Sequence, residues 1–331
     1  MKRILYILIA SGLMACGNVK KSTNEATASM QPVGPSFSAD SALMFCQQQC
    51  DFGSRAMNTP GHEQCRQWIV SKFQQYGLEV QEQKATLTGY DGTPLNSTNI
   101  IARYMPTQTD RILLCAHWDS RPWADNDPDS ANWRKPILAA NDAASGVAVM
   151  LEVARLLQQA DSVRPKVGID FICFDAEDWG VPQWSDSSNG DSWALGAQYW
   201  AQAFKSTPNK PNYRYGILLD MVGGQGARFY QEQLSNLYAP SVVTKVWQAA
   251  EVVGYGSFFV NDDGGGITDD HVPVNKIANI PCIDIIPYYP DCEASSFGPT
   301  WHTLNDDMKH LDKNTLQAVG QTMIQVLFSE Q

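Results

Sequence analysis

The sequence predicts a three-layer α/β/α sandwich around a mixed but mostly parallel central sheet. Three observations predict it: strand-like runs such as "RILLCAH" (111–117) and "VGIDFICFD" (167–175) are apolar on both faces, long helical patterns separate them, and the alternation continues to the C-terminus. A strand that is apolar on both faces must be covered on both sides, and parallel neighbours need crossover helices to supply that cover.

Thr59 offers a helix cap and Pro60 a first helical residue. Cys65, Trp68, Ile69, Phe73 and Tyr76 follow at helical spacing before Gly77. Strand candidates at 78–88 and 97–105, joined by the turn "GYDG", predict an antiparallel entry into the sheet. The alternation then runs as strand 111–117, helix 145–159, strand 167–175, helix 193–204 and strand 213–223, then helix 236–253, strand 280–288 and a closing helix 314–328. Neither a repeat nor a second-domain boundary interrupts it, so residues 39–331 read as one domain.

The N-terminus has another character. Lys2 and Arg3 precede "ILYILIASGLMAC", which is too short to cross a bilayer as a mature helix and reads as a secretion signal. The segment "LMAC" resembles the bacterial lipobox, which implies removal of residues 1–15 and lipidation of Cys16. An ordinary signal peptide with an incidental Cys is the alternative, and both predict export. Residues 16–38, rich in Ser, Thr, Asn, Gly and Pro, read as a flexible linker. The expected location is the periplasm or outer membrane of a Gram-negative-type bacterium, with membrane contact through the lipid alone.

Export permits disulfides. Cys282 with Cys292, and one pair among Cys46, Cys50 and Cys65, are candidate bridges, whereas Cys115 and Cys173 lie in apolar strands as core thiols. The formal charge of −11 argues against a nucleic-acid partner. The chain is expected to act as a monomer.

In such sheets ligands bind beyond the carboxyl ends of the strands. Those ends carry His117 and Asp119, then Asp175, Glu177 and Asp178, then Asp220; loops add Asp142, Asp269, Asp270, His271, Trp301 and His302. His117, Asp142, Asp178, Asp220 and His302 supply imidazole and carboxylate donors suited to zinc. Taken alone, Asp142 reads equally as a helix cap and Asp220 as a strand-end acceptor. Adjacent side chains leaving a strand diverge. Asp178 can therefore hold a cation while Glu177 stays free as general base and acid. Tryptophans 123, 133, 179, 184, 193 and 301 fall mostly in polar loops and predict an aromatic pocket for a small uncharged group.

Six ordered motifs, "LLCAHWDSR" (113–121), "NDAASG" (141–146), "FDAED" (174–178), "LLDMVG" (218–223), "DDH" (269–271) and "WHTLNDD" (301–307), resemble animal-type glutaminyl-peptide cyclotransferases, and more broadly the zinc aminopeptidases of the M28 family. The resemblance implies an α/β/α fold with zinc at the sheet edge, and cyclisation of N-terminal Gln on peptides or proteins to pyroglutamate with loss of ammonia. It implies Asp142, Asp178 and His302 as ligands of one zinc, Glu177 as proton shuttle, and Asp220 and Asp270 as a carboxylate group beside it. His117 takes the position of a second-metal ligand, with Asp119 orienting it. Trp184, Trp301 and His271 are the implied substrate pocket. Position 178 departs from the family pattern, being Asp where Glu is common. A two-zinc aminopeptidase is the alternative enzyme, and a surface lipoprotein that binds peptides or glycans without catalysis is the alternative of another class.

Overall fold

The computed structural model describes residues 31–160, 163–185 and 191–330. Pro32–Gln331 form one compact unit. The signal segment and Cys16 lie outside the described residues. Among those described, no helix is long and apolar enough to cross a membrane.

In chain order the elements are α1 (Ala39–Cys50), α2 (Pro60–Gln75), β1 (Glu79–Thr88), β2 (Pro94–Tyr104), β3 (Asp110–His117), α3 (Ala144–Gln159), β4 (Gly168–Phe174) and α4 (Leu195–Ser206). They continue as β5 (Asn212–Leu219), β6 (Phe229–Gln231), α5 (Gln233–Tyr238), α6 (Pro240–Val252), β7 (Phe259–Asp263), α7 (His271–Lys276), β8 (Cys282–Ile285) and α8 (Lys313–Phe328). The main sheet has six strands in the order β1-β2-β4-β3-β5-β8. β1 and β2 pair antiparallel, as do β2 and β4, while β4, β3, β5 and β8 run parallel.

Alternation along the strands builds the three layers. Ile112, Leu114 and Ala116 of β3 face a core shared with α1, α2, α3, α6 and α8. Leu113 and Cys115 face the opposite core, where α4 contributes Ala197, Trp200 and Ala201 and α7 contributes Val274. α3 packs closely because position 146 is Gly: a Cβ there would sit 2.2 Å from the Leu219 carbonyl oxygen.

Three expectations need correction. Residues 32–38, read as linker, pack on the body: Phe37 is buried, and the N–H groups of Val33 and Phe37 donate to Gln325 and Gln321 of α8 at 2.7 and 2.8 Å. Two apolar residues in a polar run carry no periodicity to announce this, and α1 beyond them is too weakly amphipathic to stand out. The single helix expected at 236–253 is two, because Pro240 lacks an N–H and begins α6 as its first residue. Cysteines 46, 50, 65, 115, 173, 282 and 292 are free thiols, so neither candidate bridge forms. Cys282 points into the sheet against Gly216 while Cys292 sits in a surface loop.

Candidate active site

Parallel strands that end together deliver their last residues to one edge. β3 ends in His117, β4 is followed by Glu177 and Asp178, and β5 by Asp220. The chain turns sharply there, with positive φ at Ala176 (55°), Met221 (50°) and His302 (54°). Non-glycine residues adopt this region at a cost of about 1 to 3 kcal/mol each and concentrate at functional sites.

Two triads of buried donors result. His117, Asp142 and Asp220 form one, and Asp142, Asp178 and His302 the other, each with ligand atoms within 4.8 Å of one another. Asp142 belongs to both and does not cap α3, whose N-cap is Ala143 without a side-chain bond. His117 Nε2 lies 2.9 Å from Asp142 Oδ1 and 3.3 Å from Asp220 Oδ1. His302 Nε2 lies 3.2 Å from Asp178 Oδ1 and 3.7 Å from Asp142 Oδ2. Asp178 Oδ2 is buried with no hydrogen-bond partner. So many converging carboxylates repel unless a cation offsets their charge, and one imidazole with two carboxylates is a zinc-type donor set. The residues therefore fit one or two zinc ions.

A supporting shell holds these donors. Asp119 accepts the backbone N–H groups of Glu177 and Asp178 at 3.1 and 3.2 Å, and stands 3.5 Å from His117 Nδ1. Asp306 accepts the N–H groups of Asn141 and Asp142 at 2.7 and 3.0 Å; burial, with the Asp142 charge added, pushes its carboxyl up to about 8. Arg121 donates to the Asp178 and Gly180 carbonyls, both at 3.1 Å, and grips Asp125 at 3.0 and 2.7 Å. Asp175, by contrast, turns away to His62 at 2.8 Å and serves the fold.

Beside the second triad opens a cavity of about 230 Å³. Asp142, Glu177, Asp220, Asp269 and His302 supply its polar surface; Trp193, Phe297, Trp301 and Ile286 supply apolar walls. The Trp301 ring stacks on His302 at 3.7 Å, and Trp193 lies parallel to the same imidazole at 6.2 Å. Burial drives the Glu177 carboxyl well above its ordinary range; Asp178, Asp269 and Asp270 add to this and His117 opposes it. Burial and the Asp142 charge push Asp220 up to about 7.

Most of the anticipated residues meet here, with three exceptions. Asp269 rather than Asp270 lines the cavity; Asp270 is fully buried and neither of its carboxylate oxygens has a hydrogen-bond partner. His271 is fully buried. Trp184 packs instead against Trp133 and Trp123, with Arg134 over its ring at 4.4 Å. Sequence reasoning did not name Arg121, Asp125 or Asp306, and named Asp269 and Trp193 only within larger groups. Arg121 and Asp306 stand inside quoted motifs, and Gly180 marks Trp193, since a Cβ there would lie 2.0 Å from its ring.

Carboxylate–imidazole triads at the carboxyl edge of such a sheet define a metal-dependent enzyme. The chain belongs to peptidase family M28, whose model matches residues 99–327. It is 47% identical to a glutaminyl cyclase of Bacteroides thetaiotaomicron solved with N-acetylhistamine bound, with a TM-score of 0.85 over 90% of this chain and 100% of that one. It is 30% identical to aminopeptidase YwaD of Bacillus subtilis over 73% of this chain, spanning 46% of that enzyme's length. It is also 28% identical to the glutaminyl-peptide cyclotransferase of Boiga dendrophila, over 81% of this chain and 75% of that protein.

Proposed function

We propose that the protein is a zinc-dependent glutaminyl cyclase that converts the N-terminal Gln of peptides or proteins to pyroglutamate and releases ammonia. One observation carries the reading: Glu177 lines the cavity beside Asp142 and His302 yet is not part of the metal triad, and aromatic side chains enclose the space in front of it. The similarity to a bacterial glutaminyl cyclase supports it.

Asp142, Asp178 and His302 would hold a single zinc, which, when bound, polarises the γ-carbonyl of the substrate Gln. Glu177 accepts a proton from the α-amine as that nitrogen attacks the carbon of the side-chain carbonyl. It returns the proton to the side-chain nitrogen, whose bond to carbon breaks as ammonia leaves. Trp193, Trp301 and Phe297 keep the Gln side chain folded toward its own amine and exclude water, which supplies the entropic part of catalysis. Asp220 and Asp269 line the cavity beside Glu177 and share its proton load, the part that the family resemblance assigns to Asp220 and Asp270. His117, without itself binding metal in this reading, positions Asp142 at 2.9 Å and Asp220 at 3.3 Å.

The triad of His117, Asp142 and Asp220 favours one other reading, a two-zinc aminopeptidase in which His117 and Asp220 also bind metal. Incubating zinc-loaded protein with a Gln-first peptide separates the two: an intact peptide that has lost ammonia supports cyclisation, and free Gln supports the peptidase.

The N-terminal segment completes the proposal. Residues 1–15 act as a lipoprotein signal, Cys16 carries the lipid, and a short tether leads to a monomeric catalytic domain that begins at Pro32 rather than residue 39. Metabolic labelling with a fatty-acid analogue checks this, because Cys16→Ala should abolish the label.

A further inference from the structure

The loops at the carboxyl edge of the sheet carry aromatic rings as well as metal donors. Tyr90 in the turn between β1 and β2, Trp123 and Trp133 after β3, and Trp179 and Trp184 after β4 are all only half-buried. Their rings meet one another. Trp123 packs edge-on against Tyr90, Trp179 and Trp184 at 5.5, 5.2 and 5.8 Å, and Trp133 lies parallel to Trp184 at 6.4 Å. Large apolar rings gathered on loops without sinking into the core form a patch, and such patches mark binding surfaces.

The patch is continuous with the cavity. The Arg121 guanidinium lies 4.7 Å from the ring of Trp193, which walls the cavity, and 5.1 Å from the ring of Trp123. Fully buried and held by Asp125 and by the Asp178 and Gly180 carbonyls, it fixes both indoles in place. Trp123 is thus within about 10 Å of Trp193, the reach of about three extended residues. The cavity itself, at about 230 Å³, is smaller than the roughly 300 to 1,000 Å³ of pockets that enclose a drug-sized ligand. A peptide bound there by its first residue leaves the rest of its chain outside, beside rings whose edge-to-face neighbours accept a further ring in the same geometry.

We propose that this patch is a subsite for the chain that follows the terminal Gln, and that it selects peptides with an aromatic side chain at their third or fourth position. The inference rests on the cyclisation reading above and extends it to the choice of substrate. Because the patch stands outside the cavity, it acts on binding rather than on the chemical step.

The test measures kcat/KM of zinc-loaded wild type, Trp123→Ala and Trp184→Ala on two Gln-first pentapeptides that differ only in carrying Phe or Ala at the third and fourth positions, with mass spectrometry identifying the product. Wild type should favour the Phe peptide about tenfold, mostly through KM, and each variant should bring that ratio to within about twofold of unity. The ratio compares two peptides on the same protein, so a general loss of activity in a variant cancels. Should Trp123→Ala fail to fold, Trp123→Leu, which keeps an apolar side chain but no ring, replaces it under the same criterion. Wild type that turns over both peptides equally, or variants that keep the preference, overturn the proposal; equal turnover joined to quenching of Trp fluorescence by maltohexaose overturns it in favour of a glycan. Free Gln as the wild-type product refutes the cyclisation reading and this proposal together, whereas pyroglutamyl peptide formed without preference refutes this proposal alone.

Discussion

Asp119 ties the proton carrier to the metal side of the site. Its two carboxylate oxygens receive the consecutive backbone N–H groups of Glu177 and Asp178, at 3.1 and 3.2 Å, from a fully buried position. The divergence of the two side chains is therefore fixed from the end of the neighbouring strand. Asp119→Ala should weaken zinc binding and lower kcat, each by about 10- to 100-fold, and Asp119→Asn, which keeps one acceptor, should do less. Chelator competition and steady-state kinetics check both.

The two triads predict different metal losses. Asp178→Ala removes the donor with the orphaned oxygen and should leave the protein without zinc, while His117→Ala should retain about one equivalent per chain. Elemental analysis after dialysis reads the ratio directly.

Gly146 sets how closely α3 docks on the sheet. Its replacement by Ala places a Cβ 2.2 Å from the Leu219 carbonyl oxygen and 2.8 Å from the Ala116 side chain. Both neighbours belong to strands and cannot yield, so Gly146→Ala should cost about 3 kcal/mol and lower Tm by several degrees in thermal unfolding.

Glu232 makes stability depend on acid. Burial works against its charge, but the His271 ring and the N–H groups of Ile267 and Leu234 outweigh burial and hold its carboxyl down to about 2. A carboxyl depressed in the folded state stabilises fully above its unfolded value, near 4.5, and loses that contribution as pH falls toward 2. The stability gap between wild type and Glu232→Ala, measured by urea unfolding, should therefore be widest above pH 5 and shrink steadily below about pH 4.5.

The layers of the fold were legible because β3, β4 and β5 are apolar on both faces and α3 and α8 carry strong helical periodicity. The break at Ala239 was hidden, since periodicity continues across Pro240, and Val33 and Phe37 had no pattern to reveal them. At the site, residues that end strands were recoverable, because a parallel sheet collects them at one edge whatever the loops do. Asp269 and Asp270 could not be told apart in this way. Both are acidic and adjacent, and only the start of α7 decides which one faces the cavity. Trp193 and Trp184 posed the same difficulty in loops whose path no local pattern fixes.

The central claim is that Glu177 moves a proton between two nitrogens of one substrate residue. Mass spectrometry of a Gln-first peptide, incubated with equal amounts of zinc-loaded wild type and Glu177→Gln, tests it most directly. Wild type should yield the full-length peptide less one ammonia, and the variant, still holding zinc and peptide, should be slower by about 10²- to 10⁴-fold. Equal rates from the two proteins, or a wild-type product shortened by its first residue, would contradict it.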